Sequence, residues 1–432
     1  MTPRRIAVVG GGWAGISAAV HATGRGHDVT LIEMAPQLGG RARSFELHGV
    51  PFDNGQHIAI GAYSQTLALM RQLGIDVDAA FLRTPLRLVD ADGVGLVFPA
   101  GNPSASFVRA VAAHRGWGWR DKASLLAAAT GWALQRFRCD PSMTVAQLAA
   151  RLTRPVVEDL VEPLCVAALN TGADAASASV FLRVLQDALF AGPGSSDLLL
   201  PRRPLSELLA DPSRRWLSGA GAHVETTHRV ESIERHRDGG WLVDGAHFDA
   251  AVLACSAIEA ARLTSTLAPE WSGAAAGLAH EPIMTLYFRD AGCRLSAPML
   301  ALRCTPEWPA QFVFDRGQLG GPSGLLAFVI SGAQAWVEQG HPAALEAVGR
   351  QAEGLLAGSL RGPLQPVKAM TEHRATFRCV PGLVRPGTAI AHGLAAAADF
   401  LRGPYPATLE GAVRSGEGSI RQLEGQGEEN AG

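Results

Sequence analysis

Gly10, Gly12 and Gly15 stand in a G-x-G-x-x-G pattern, and an acid, Glu33, closes the next apolar run. These residue types at this spacing suit a dinucleotide. Gly10 permits a tight turn, Gly12 lets the backbone approach a pyrophosphate, Gly15 lets a helix pack closely on its strand, and Glu33 can accept from ribose hydroxyls. Trp13 and Ala14 fall in the first turn of that helix, where free N–H groups and the positive dipole end meet phosphate oxygens. A chain with 49 glycines produces such a triplet by chance, so its position carries the weight. It directly follows the apolar run Ile6-Ala7-Val8-Val9 and opens a predicted helix that stops at Gly24-Arg25-Gly26. The strand Val29-Thr30-Leu31-Ile32 comes next.

A second glycine pair follows in Leu38-Gly39-Gly40-Arg41-Ala42-Arg43, with Asp53-Asn54-Gly55-Gln56-His57 shortly after. Gly39 and Gly40 allow another backbone segment near the pyrophosphate, and Arg41 can add charge to it. An acid at Glu33 disfavours a 2′-phosphate. Together these segments resemble the N-terminal signature of the FAD-dependent amine oxidase and phytoene desaturase superfamily. That resemblance implies FAD, held in part by Gly55, Gln56 and His57.

Composition excludes several classes. The net charge of −2 and pI of about 6.7 give no global field for nucleic acid. The chain is 47% hydrophobic and only 18% charged, which leaves room for a large apolar cavity. No run is long enough for a membrane span, and the run after Arg4-Arg5 is too short for a signal peptide. Cys139, Cys165, Cys255, Cys293, Cys304 and Cys379 are scattered, and the 13 histidines lack ligand spacing. Reduced thiols, no metal and a cytoplasmic location are therefore expected.

The elements that must position these groups fall into a discontinuous pattern. Residues 63–74 read as a helix, and 86–89 with 95–98 as a hairpin. Residues 106–209 are mostly helical, including the very apolar 160–170 and 180–190. Residues 222–229 and 230–235 read as strands around a turn, and 241–243 and 248–254 as further strands. In 282–289, alternation puts Thr285, Tyr287 and Arg289 on one face. Residues 324–330 read as a strand, 342–360 as an amphipathic helix, and the tail beyond Gly416 as frayed. Segment 114–138 sets Trp117, Trp119, Trp132 and Phe137 among Arg115, Arg120, Lys122, Arg136 and Arg138. Two roles are open to it: a peripheral contact with the inner face of a membrane, or a helical pair with aromatics in the core and arginines in water.

The C-terminal wording, Ala398-Asp399-Phe400 and Tyr405-Pro406-Ala407-Thr408-Leu409-Glu410-Gly411, completes the resemblance. It implies that Asp399 meets the ribityl-pyrophosphate region and that Thr408 and Leu409 open a helix aimed at the isoalloxazine. It also implies that Val230 presents its backbone to the adenine. The implied fold is α/β: a Rossmann-type, glutathione-reductase-like FAD domain (residues 1–75, 205–275 and 370–432) with an inserted α+β substrate domain (76–204 and 276–369). Amine oxidases of this superfamily place an aromatic ring two residues before the glutamate of the E-G-A element, where this chain has Thr408.

Phe52-Asp53-Asn54-Gly55-Gln56-His57, Ala168-Leu169-Asn170-Thr171, Val180-Phe181-Leu182-Arg183 and the 405–411 wording are similar to the bacterial squalene-associated FAD-dependent desaturases, or hydroxysqualene dehydroxylases. This implies a polyprenyl C30 substrate whose hydroxyl is protonated, lost as water and replaced by hydride from reduced FAD. Asn170, Thr285, Tyr287 and Tyr405 are the candidate polar substrate contacts. His57 is the candidate acid because an unperturbed imidazole titrates near neutrality; hydrogen bonding without proton transfer is equally open to it. Asp53 and Glu162 are further candidates. With no second nucleotide fingerprint, electrons must come from a separate donor or from transient nicotinamide binding. A carotenoid-type desaturase, an amine oxidase and a non-catalytic FAD-containing carrier of prenyl lipids are the alternatives.

Overall fold

The computed structural model describes residues 2–428. Strand β1 (Arg5–Val9), helix α1 (Trp13–Gly24) and strand β2 (Asp28–Glu33) build the first crossover. In the six-stranded sheet, β1 lies between β2 and the strand Ala250–Leu253. Strand His223–Thr226 extends the β2 edge in parallel, and Leu394–Ala396 pairs in parallel with Ala250–Leu253 on the other side. Only the edge strand Ala389–Ala391 is antiparallel. A sheet covered on both faces needs continuous apolar runs, and Ile6, Val8, Leu31, Val252 and Leu394 are all buried.

Three separated stretches of chain thus contribute to one sheet. The strands expected around a turn at 222–235 divide, however. Residues 223–226 join the large sheet, while Ile233–Arg235 pairs with Trp241–Val243 in a separate three-stranded sheet. Val230 sits between them in neither strand.

The second layer is a five-stranded antiparallel sheet. Its longest interior strand, His280–Arg289, pairs with the central strand Leu325–Ile330 on one side and the edge strand Gln365–Phe377 on the other. The latter runs unbroken across position 370, so residues 370–377 stay with this sheet and not with the nucleotide domain. Helices Pro103–Ala113, Trp119–Leu134, Glu162–Leu169 and Ala178–Phe190 pack into a helical cap. The cap's apolar cluster continues to Phe52, Tyr287 and Phe400.

The tail departs from expectation. Helix Leu409–Glu428 continues well past Gly416. A Cβ at Gly416 would stand 2.3 Å from the Ala14 carbonyl oxygen, so the glycine allows a close crossing with α1. Val413, Ile420 and Leu423 are buried, Glu424 pairs with Arg25 at 2.8 Å, and the Gly393 N–H donates to Gln426. The stripe of apolar residues was diluted in sequence by the intervening Gly and Glu, which masked its helical period.

Candidate active site

Steric necessity builds the cleft. Gly10 has φ +111°, and a Cβ there would meet the Ala254 carbonyl oxygen at 2.5 Å. A Cβ on Gly15 would stand 1.8 Å from the Gly10 carbonyl oxygen. The second glycine segment docks on the first: the Gly39 N–H donates to the Gly11 carbonyl at 2.8 Å. Gly40 has φ +60°, and a Cβ on it would lie 3.0 Å from the Gly12 Cα. Gly12 and Gly40 therefore meet backbone to backbone, and Gly39 is buried beside them. The first-turn amides of Ala14 and Gly15 have no carbonyl partner within α1. Trp13 contributes from beneath; it is 4% exposed and its indole N–H donates to the Ala42 carbonyl, pinning the second glycine segment.

Glu33 is buried and accepts from the amides of Gly11 (2.6 Å) and Ala35 (2.8 Å). A carboxylate has about four acceptor positions, so capacity for ribose hydroxyls remains. Arg41 forms an ion pair with Asp399 at 2.6 Å and donates to the carbonyls of Arg374 and Ala375. The Asp399 charge raises the Arg41 pKa, so the guanidinium stays charged. Thr408 caps the C-terminal helix, its Oγ1 accepting from the Gly411 N–H at 3.0 Å. This leaves the half-buried Leu409 at a second helix N-terminus close to α1. Two open helix ends, bare glycine backbone and a buried acid fit the pyrophosphate and ribose of a dinucleotide.

Val230 is 4% exposed, and its carbonyl already accepts from Arg262 at 2.7 Å. Its N–H and the second lone pair of the carbonyl remain to meet a base.

A polar network lies beyond the glycines. Gly55 turns at φ +96°. Gln56 donates to the Tyr287 hydroxyl (2.8 Å) and accepts from Arg316 (3.2 Å), so its side chain is committed within the protein. Asp53 accepts from the Ser44 hydroxyl and the Leu205 N–H and lies 3.4 Å from the Arg316 guanidinium. Both of its carboxylate oxygens are thus occupied by partners within the protein. Arg316 escaped sequence notice. Its signal was a charge closing the apolar strand Phe312–Asp315.

His57 is half-buried, with Nδ1 3.4 Å from the Gly55 carbonyl oxygen. Burial lowers its pKa, outweighing the attraction of Asp53. Thr285 is 2% exposed, and its Oγ1 has no hydrogen-bond partner among the described residues. A Cβ on Gly55 would lie 3.5 Å from the His57 ring and 3.9 Å from that Oγ1, so the three groups converge.

Two substrate candidates are spent elsewhere. Tyr287 is 1% exposed and donates to the Asp53 carbonyl at 3.0 Å while accepting from Gln56. Asn170, with φ +51° at a helix end, donates to the Glu281 carbonyl and the Thr376 hydroxyl and accepts from the Gly332 N–H. It clamps the cap to the five-stranded sheet. Buried amides and phenols must be satisfied somewhere, and sequence does not say by whom. Tyr405 is half-buried between the guanidiniums of Arg183 and Arg414, its hydroxyl accepting from Arg183. Glu162 accepts weakly from the Ala173 N–H at 3.4 Å.

Within the cap lies a cavity with an open mouth. Every lining residue is apolar or aromatic, among them Leu88, Phe107, Leu125, Trp132, Leu164 and Phe181. The tryptophans of 114–138 separate: Trp117 is buried, stacked on His114 and donating to Asp159, whereas Trp119 is 75% exposed.

The family model described as flavin containing amine oxidoreductase matches residues 13–294. Hydroxysqualene dehydroxylase from Sinorhizobium fredii is 25% identical, the match covering 96% of this chain and 97% of that one. Its counterpart from Rhodopseudomonas palustris is 26% identical, with 96% of each covered. A zeta-carotene desaturase from Zea mays is 33% identical but over only 23% of this chain and 18% of its own. Among solved structures, an oxidoreductase from Methanosarcina mazei superposes with a TM-score of 0.73 at 15% identity, covering 97% of this chain and all of that one. Cyclohexylamine oxidase from Brevibacterium oxydans superposes at 0.68 and 16% identity, covering 99% and 100%.

Proposed function

This chain belongs to the flavin containing amine oxidoreductase family, with FAD as its cofactor, and on that premise we propose that it reductively removes the hydroxyl of hydroxysqualene to give squalene. The observation that carries the proposal is the wholly apolar cavity in the cap, taken with near full-length similarity to two proteins named for this reaction. Gly10, Gly12, Ala14, Gly15, Glu33, Gly39, Gly40, Arg41, Gly55, Val230, Asp399, Thr408 and Leu409 are the residues assigned to the cofactor.

The reaction balances as protonation of the alcohol oxygen, loss of water from carbon, and transfer of hydride to the carbocation left behind. Reduced FAD, when bound, supplies that hydride, and a separate electron donor returns the two electrons. The chain supplies the rest. Apolar walls exclude the bulk water that would recapture the cation. Thr285 Oγ1, buried without a partner, is the atom available to hydrogen-bond the substrate hydroxyl.

His57 delivers the proton to the leaving oxygen. Its lowered pKa makes the imidazolium rare at neutrality but a stronger acid when formed.

The test is anaerobic. The flavin is reduced and mixed with hydroxysqualene; reoxidation together with stoichiometric squalene is the expected result. Reduction of the oxidised flavin by phytoene or by an amine would assign an oxidative reaction instead. Absence of any redox response would leave a lipid-carrying role.

A further inference from the structure

We propose that the outer face of the Trp119–Leu134 helix docks on an anionic lipid bilayer. This helix has apolar residues on two sides. Inward, Leu125, Ala129 and Trp132 line the cavity. Outward, Leu134 and Trp119 are 82% and 75% exposed, the two highest values among the large hydrophobic residues described. Ala123, Ala127 and Ala133 are exposed between them. No charged residue occurs from Ala123 to Gln135, which an ordinary solvated helix face would carry.

Charge is confined to the two ends of this band. Segment 114–138 holds Arg115, Arg120, Lys122, Arg136 and Arg138 against one acid, Asp121, in a chain whose net charge is −2. Asp121 is occupied by the Gly118 N–H at 2.8 Å. Arg115, Arg136 and Arg138 have no ion pair among the described residues. Arg120 lies 5.4 Å from the Trp119 ring. Arg136 and Phe137 both have positive φ, 53° and 55°, an unfavourable conformation for such residues. This turn returns Phe137 to Phe190 at 5.3 Å and leaves both arginines outside.

An apolar band between basic collars is the pattern of a helix lying in the headgroup layer of an anionic membrane. Spanning is excluded for this helix, since no described helix is long and apolar enough to cross a bilayer. A second copy is disfavoured as occupant, because two-fold contact would set like-charged collars against each other. Docking stands on this surface alone and is independent of the reaction proposed above. It would place the cavity one helix thickness, about 10 Å, from the lipid.

Flotation of the FAD-loaded protein with phosphatidylcholine vesicles, with and without phosphatidylglycerol, tests it. Binding is expected with phosphatidylglycerol, roughly tenfold weaker without it, and weakened by salt. W119A/L134A should lower binding by about tenfold or more, and R136Q/R138Q should remove most of the anionic preference. Flavin content and thermal midpoint, at sites this exposed, should stay unchanged in both. Failure of the wild-type protein to float with anionic vesicles overturns the proposal, as does flotation of W119A/L134A at the wild-type level. Wild-type dimerisation on gel filtration that W119A/L134A disperses, without vesicle binding, would overturn it in favour of a second copy.

Discussion

At Gly15 an added methyl group would stand 1.8 Å from a carbonyl oxygen, whereas beside Ala129 and Leu164 there is open space lined only by carbon-rich side chains. The cleft therefore admits one residue type at several positions. The cavity admits many types, provided that shape and polarity are kept. A ligand bound by backbone leaves single-residue marks; a ligand bound by apolar volume leaves only a composition.

The largest effect should come from breaking the cleft. Gly15→Ala is expected to lower FAD affinity by roughly a hundredfold, or about 3 kcal/mol, measured by flavin absorbance after dialysis. If FAD is retained, the close helix–strand contact is not what shapes the site. Filling the cavity sharpens the contrast from the other side. Ala129→Trp should cut squalene formation by about tenfold or more, through lost access and misplacement. Flavin content should remain unchanged. Equal loss of FAD would show that the two regions are not separable.

A smaller effect tests the group between them. Because burial lowers the His57 pKa from 6.5, the imidazolium fraction is small at neutrality and grows as pH falls through the folded-state value. Dehydroxylation should accelerate in that window, below pH 6.5, and His57→Gln should flatten the acid limb of the kcat profile while keeping FAD. The sign for stability is opposite. A depressed histidine pKa stabilises the fold above 6.5, and that contribution is lost on acidification. An unchanged profile in His57→Gln would assign the residue a hydrogen-bonding role only. The smallest effect is expected at Thr408, which caps the helix through Gly411. Thr408→Ala should cost about 1 kcal/mol in denaturant unfolding, with a modest rise in FAD dissociation.

Much of the cofactor half was legible because glycine's special property is local. Gly10, Gly15, Gly39 and Gly40 announce backbone conformations and close approaches that no other residue tolerates. Glu33 is tied to them by the length of one crossover. The tail is illegible for the same reason in reverse: Gly416 marks a crossing with a helix from the far end of the chain, and only distant elements such as this give Ile420 and Leu423 somewhere to be buried.

The residues by themselves, then, determined a dinucleotide fingerprint and an apolar composition, and the family resemblance they carry implied a cofactor domain assembled from separated segments. Tertiary structure decided which polar side chains remain available. Tyr287, Gln56 and Asn170 look free in sequence but are consumed by Asp53, Arg316 and the Glu281 and Gly332 backbone, while Thr285 is left without a partner. Trp117 and Trp119, two residues apart, end on opposite sides of the protein boundary. The physical reason is common to all of these: backbone conformation is set by neighbours in the chain, but hydrogen-bond partners and burial are set by neighbours in space.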